Sequence, residues 1–267
     1  MIRQIIYKLT KPRVNIIKTI ILNFSTLPFK QAIRLPILLV GNWNLRSLEG
    51  DIILPDNHTN NKRIKIGVNY AGYVTAPVGT LTLQKGSKLI LHKNVKISQG
   101  VHLCLYSNAE LSLGAYSSLG DNVKIICSNK INIGMHTGVT WECQVLDFGT
   151  HYIEDLENKE IHNIYQSVEI GDYCWIGNRT TIMPGSRIPN DTIVASNSLL
   201  NKDYCHQGIE PFSLLGGIPV KLIRTNIFRL RDINNEIYLN KYFLDTKSAY
   251  INSKNLPIDE YKQRISD

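Results

Sequence analysis

His151 stands where the chain breaks an otherwise regular aliphatic pattern, and a carboxylate, Asp147, lies four residues before it. An imidazole titrates near neutrality, so it can take a proton from an attacking hydroxyl and pass it on. A carboxylate bonded to one ring nitrogen would fix the tautomer and raise the basicity of the other. The same Asp at a corner would instead bond its own backbone, and the residues alone leave both roles open. The other six histidines, His58, His92, His102, His136, His162 and His206, read as surface or corner residues. The five cysteines, Cys104, Cys127, Cys143, Cys174 and Cys205, are odd in number and never spaced as CxxC. That argues against a disulfide framework or a structural zinc site and points to a reducing cytoplasm. No metal is expected.

These residues must be held by an element with an unusual period. Ile170, Ile176, Ile182, Ile188, Val194 and Leu200 recur every six positions without a slip. An earlier run, Leu113, Leu119 and Ile125, resumes after a two-residue insertion at Ile133, Val139 and Val145. Six fits neither a 3.6-residue helix nor a heptad, but it fits short strands joined by tight corners and stacked as a solenoid. Each hexapeptide makes one flat side, with its aliphatic residue pointing into a narrow prism. Gly114, Gly120, Gly134, Gly171 and Gly177 follow these aliphatics and are expected at corners, where positive φ is often needed. The expected fold is an all-β solenoid with helical segments at both ends. Residues 151–167 are its only long interruption, polar with scattered aromatics. They read as a flap over an acceptor, with Tyr152 and Tyr165 placed to stack on a ring.

The 267 residues carry a net charge of +8, unevenly placed. Residues 1–50 hold eight Lys/Arg against a single acid, Glu49, a local charge of +7; the remainder has 22 basic and 21 acidic groups. A near-neutral body argues against a nucleic-acid-binding surface. No segment is apolar for long enough to span a bilayer, and a secretory signal fits poorly. Residues 1–24 read as a basic helix, kinked or broken at Pro12, with Ile5, Ile6, Leu9, Ile16, Ile17, Ile20 and Ile21 at helical spacing. It either packs on the body or lies peripherally on an anionic membrane. Three regions follow: a basic helical arm and lead-in over 1–50, the solenoid over 51–224, and a helical segment over 225–267, with Ile227, Leu230, Ile233 and Ile237 on one face.

Residues 168–203, VEIGDYCWIGNRTTIMPGSRIPNDTIVASNSLLNKD, resemble the terminal coils of hexapeptide-repeat acyltransferases, and 214–224, LLGGIPVKLIR, resembles that family's closing element. The basic opening, with LPFKQAIRLP, is similar to bacterial O-acetyltransferases of surface glycans. The resemblance implies a left-handed parallel β-helix, a homotrimer, and acetyl-CoA sites in clefts between subunits. It implies that His151 is the general base, with Asp147 as its orienting carboxylate; Gly149 stands where related motifs often carry a second acid. The backbone N–H of Asn178, after Gly177, would lie near the thioester, and Ser196, one coil on, would meet the pantetheine. Trp175 would wall the cleft or pack the solenoid. Lys202, Lys221 and Arg224 would meet the CoA phosphates. The implied reaction moves an acetyl group to a sugar hydroxyl in polysaccharide or lipopolysaccharide synthesis. An amino sugar or small-molecule acceptor would use the same base and groove. A non-enzymatic scaffold would tend to lose the histidine and the cations. A γ-type carbonic anhydrase would need paired histidines, and here no two are closer than ten residues.

Overall fold

The structure is a computed structural model describing residues 13–55, 64–68 and 78–266. Most of the predicted first turns of the basic arm, with Pro12, and His58 lie outside the described residues. By compactness the chain divides into Met1–Thr225 and Asn226–Asp267.

The larger unit is a left-handed parallel β-helix. Its three sheets form the faces of a prism, and each coil contributes one strand to each face. Face A runs β1 (Ile37–Leu39), β4 (Ile64–Ile66), β7 (Lys96–Ile97), β10 (Ser118–Leu119), β13 (Gly138–Val139), β18 (Trp175–Ile176), β21 (Ile193–Val194) and β23 (Leu214–Gly216). Face B runs β2 (Trp43–Leu48), β5 (Gly79–Leu83), β8 (His102–Leu105), β11 (Lys124–Cys127), β14 (Gln144–Leu146), β19 (Thr181–Ile182) and β22 (Leu199–Leu200). Face C runs β3 (Asp51–Ile53), β6 (Lys88–Leu91), β9 (Glu110–Leu113), β12 (Lys130–Ile133), β17 (Val168–Ile170) and β20 (Arg187–Ile188). Alternation along each strand turns every second residue inward. The inward residues therefore line up between coils. Leu81, Leu103, Ile125, Val145, Ile182 and Leu200 form one column on face B. Ile97, Leu119, Val139, Ile176, Val194 and Leu215 form another on face A, and both columns are buried.

The coils are not uniform. Leu103 to Ile125 is 22 residues, Ile125 to Val145 is 20, and Ile182 to Leu200 is 18. The two-residue insertion is not a loop. It lengthens β11 and β12 to four residues each and turns Cys127 and Ile131 into the core. These longer early coils hide the six-residue period, and the solenoid begins at Ile37 rather than at residue 51.

The corner glycines correct the expectation of positive φ. Gly114, Gly120, Gly134, Gly171 and Gly177 are not left-handed. The left-handed residues come two positions later: Tyr116, Asn122, His136, Tyr173 and Arg179, with φ between 54° and 61°. The glycines are there because the next coil is too close. A Cβ on Gly177 would sit 2.5 Å from Ser196 N and 2.7 Å from Val194 O.

Helix α1 (Ile16–Thr26) packs on β1 and β2, and a short turn of helix, α2 (Phe29–Ala32), follows it. In the smaller unit, α3 (Ile233–Thr246) is capped by Asp232, whose side chain accepts from Asn234 N. Buried Asn235 donates to Ile258 O and Glu260 Oε1, tying α3 to the start of α4 (Glu260–Ser266). The expected apolar face is not buried: Ile233 and Ile237 are exposed, and Ile227 and Leu230 precede the helix.

Candidate functional site

The chain leaves the solenoid between faces B and C, just after Leu146. In the coil below, the amides of Ser128 and Asn129 lose the strand that would have stacked on them. Asp147, fully buried, replaces that strand: its carboxylate accepts from Ser128 N at 2.7 Å, Asn129 N at 2.8 Å and Cys127 Sγ at 3.3 Å. Unpaired buried amides are costly, so this is a structural demand on the residue. Asp147 makes no hydrogen bond to His151. The backbone it bonds belongs to the preceding coil, whereas the corner reading had it bond its own.

Residues 148–166 form an arm with a paired stem. Gly149 N donates to Ile164 O, Gln166 N donates to Asp147 O, and Phe148 bridges Tyr165. Rings of Tyr106, Phe148 and Tyr165 pack along this stem, at centroid separations of 5.6 and 6.1 Å. The tip is a hairpin of β15 (Glu154–Asp155) and β16 (Glu160–Ile161). In its turn, hydrogen bonds from Asn158 and Glu157 hold the Asp155 carboxyl below its ordinary range. His151 leaves the stem exposed and without a hydrogen-bond partner among the described residues. Tyr152, Ile153, Leu156 and Ile161 are also exposed. A side chain at Gly149 would meet Ile164 at 3.5 Å, an ordinary contact.

A second group lies on a different edge, between faces A and B. Gly177 and Asn178 turn that corner in one coil and Ser196 in the next. Ser196 Oγ donates to Asn178 Oδ1 at 2.5 Å, and Asn197 N donates to Asn178 O at 2.9 Å. The backbone N–H groups of Asn178 and Ser196 have no partner among the described residues, which leaves two donors one coil apart on an accessible edge. Cys143 lies inside this edge, with Sγ 3.1 Å from Gly177 O. Burial pushes its thiol up to about 11, so it stays protonated. Trp175 points out of face A and is 39% exposed. Strand β24 (Lys221–Arg224) pairs antiparallel with β23 and ends face A, with both cations exposed. Lys221 pairs with Gly216, at the end of the sheet nearer the Asn178 corner. Lys202 follows β22, on the same edge as the arm.

The expected residues therefore fall into two sets. Trp175, Gly177, Asn178, Ser196 and Lys221 share one flank, while His151, Asp147 and Lys202 share another edge. Arg224 lies at the far end of β24. Two clefts of about 420 and 430 Å³ open on face C and beside α1, and neither is lined by His151 or Asn178. Sequence reasoning missed Trp141 and the Arg179–Glu142 ion pair, 2.7 Å, on the Asn178 edge. Their signal was register: Trp141 follows Val139 by two residues, as Asn178 follows Ile176 and Ser196 follows Val194. Among the described residues no three His, Cys, Asp or Glu side chains converge as a metal site.

No family model matches the chain. A chloramphenicol acetyltransferase of Klebsiella aerogenes is 38% identical over 55 residues, 21% of this chain and 24% of that protein. A probable macrolide acetyltransferase of Lysinibacillus sphaericus is 40% identical over 55 residues, 21% of this chain and 28% of that protein. The chain thus spans about a quarter of the length of the curated relatives it matches. Among solved structures, the polysialic-acid-specific acetyltransferase NeuO is similar with a TM-score of 0.48 and 16% identity, over 79% of this chain and 99% of that one.

Proposed function

We propose that this hexapeptide-repeat β-helix is an acyltransferase that moves an acetyl group from acetyl-CoA to a sugar hydroxyl, working as a homotrimer. The observation that carries this reading is the pair of unpartnered N–H groups, Asn178 and Ser196, on an accessible edge walled by Trp175. They offer hydrogen bonds to an extended amide-bearing ligand, and Lys221 and Arg224 at the end of face A offer charge to its phosphates. The matched stretches of the curated relatives, both named as acetyltransferases, support the same class.

His151 is the base in this reading. Its neutral imidazole takes the acceptor hydroxyl proton as the oxygen bonds to the acetyl carbonyl carbon. The carbon–sulfur bond breaks, and the CoA thiolate recovers the proton from the imidazolium, so the ring returns to its starting state. The base and the donor edge lie on two different edges of one prism. A complete site then needs the His151 edge of one copy against the Asn178 edge of another, which a cyclic trimer supplies three times. Asp147 serves by holding the root of the arm, and Tyr152 and Tyr165 give the acceptor aromatic surface.

A second reading, a small-molecule or amino-sugar acceptor, is favoured by the names of the curated relatives, chloramphenicol and macrolide acetyltransferases. One experiment separates these. The purified chain is incubated with acetyl-CoA and, in parallel, a surface-glycan panel, amino sugars and chloramphenicol, and acetylated products are read by mass. Glycan acetylation is expected. His151→Ala should lower turnover by about 10²–10⁴-fold while acetyl-CoA binding by calorimetry is kept. Wild-type turnover in His151→Ala would remove the histidine from the reaction.

A further inference from the structure

Helix α1 is amphipathic in the opposite sense to a helix that packs on a core. Its buried side is largely polar. Thr19 Oγ1 accepts from Leu39 N at 3.0 Å, and Asn23 both accepts from Ile37 N and donates to Ile37 O. Thr26 Oγ1 donates to Leu22 O, so these groups are satisfied by backbone and Leu22 is the one large apolar side chain buried among them. The outward side carries Ile16, Ile17, Ile20, Ile21 and Phe24, between 43% and 73% exposed. At 100° per residue these five cover an arc of about 140°, a continuous apolar stripe. Phe29 and Ile33 extend it past the helix, and the rings of Phe24 and Phe29 meet edge to face at 6.0 Å.

The charge around this stripe has one sign. Residues 1–48 contain eight Lys/Arg and no acid. Arg13, Lys30 and Arg34 are exposed and make no ion pair among the described residues. Lys18 is held by the Trp43 carbonyl and Asn42 Oδ1, at the edge of the stripe. The remaining 219 residues carry 22 basic and 22 acidic groups, so a second copy presents no net acidic complement to this surface. An anionic bilayer supplies both an apolar layer and negative headgroups. No helix among the described residues is long and apolar enough to cross a membrane.

We propose that the outward face of α1, continued by Phe29 and Ile33 and flanked by Lys30 and Arg34, docks the protein on an anionic lipid surface. The stripe enters the headgroup boundary and the cations meet lipid phosphates. This inference does not depend on the acyl-transfer reading.

The test uses the full chain and co-sedimentation with vesicles of phosphatidylglycerol in phosphatidylcholine, against phosphatidylcholine alone. Ile17→Ser with Phe29→Ser removes apolar contact; Lys30→Gln with Arg34→Gln removes charge. All four side chains are exposed, and thermal unfolding checks that the fold is kept. Wild type should bind the anionic vesicles at least about tenfold more tightly than either variant, and more weakly as salt rises. Unchanged binding in the variants, or no binding by wild type, overturns the proposal. So does a fall in the mass of the Ile17→Ser, Phe29→Ser protein by light scattering, because a second copy would then be the occupant of the face.

Discussion

Asp147 shows how much one buried side chain can hold. Its two carboxylate oxygens close three donors of the coil below at the point where the solenoid opens into the arm. Removing a partner from a buried donor costs about 1–3 kcal/mol, so Asp147→Ala should lower the unfolding free energy by roughly that much per stranded amide. Asp147→Asn keeps an acceptor for one amide and should fall between. Urea denaturation measures both. If Asp147 acts by anchoring the arm, the activity lost in Asp147→Asn should track the loss of stability, and lost activity at full stability would point to a direct part in the chemistry. The His151 imidazole has no hydrogen-bond partner among the described residues.

At the scale of the coil, packing between rungs decides which residue types are allowed. Stacked strands lie about 4.8 Å apart, which at some of the corners after an inward aliphatic leaves no room for a Cβ. Gly177 is such a corner, with Ser196 N and Val194 O both within 2.7 Å of the missing methyl position. Both neighbours are backbone and neither can swing away. Gly177→Ala should therefore cost about 1–3 kcal/mol by overpacking and should displace the Asn178 and Ser196 amides as well. Gly149→Ala is the matched control: its nearest neighbours are side-chain atoms at 3.5 Å, and its melting temperature should stay close to wild type. The left-handed residues two places on are a separate device. Tyr116, His136 and Tyr173 occupy them in successive coils and stack with centroids 4.7 and 4.9 Å apart. Ring stacking along that edge offsets a backbone conformation that favours glycine.

At the scale of the whole molecule, the two-edge layout makes a sharp assembly prediction. A trimer should be seen in light scattering at three times the 30.3 kDa chain mass. If each site joins the His151 edge of one copy to the Asn178 edge of the next, two inactive variants should complement. His151→Ala lacks the base, and Ser196→Trp blocks the donor edge. Mixed and reassembled in equal amounts, about a quarter of the sites would combine an intact base with an intact edge. Activity near that fraction is expected, and none would show that base and donor edge belong to the same copy.

The amino-acid sequence alone determined the solenoid, because a six-residue aliphatic period has few other physical meanings, and the observed columns run through the same residues, from Ile170 to Leu200. The end of the period also pointed to an interruption at residues 151–167, whereas the paired stem of the arm already begins at Phe148. Its earlier coils were harder to read: at 20–22 residues they keep the alternation within each strand but lose the fixed spacing. Tertiary structure decided the rest. Which coil's amides Asp147 would serve depends on stacking of residues twenty positions apart. The reason for Gly114, Gly120, Gly134, Gly171 and Gly177 is the closeness of the next rung, which a local φ preference does not contain. The edge on which each site residue falls is set by the cumulative length of all sides before it. The inverted helix at residues 16–26 follows the same logic. Its apolar stripe was legible, but only packing against β1 and β2 decided that the threonines and Asn23 face inward and the isoleucines face out.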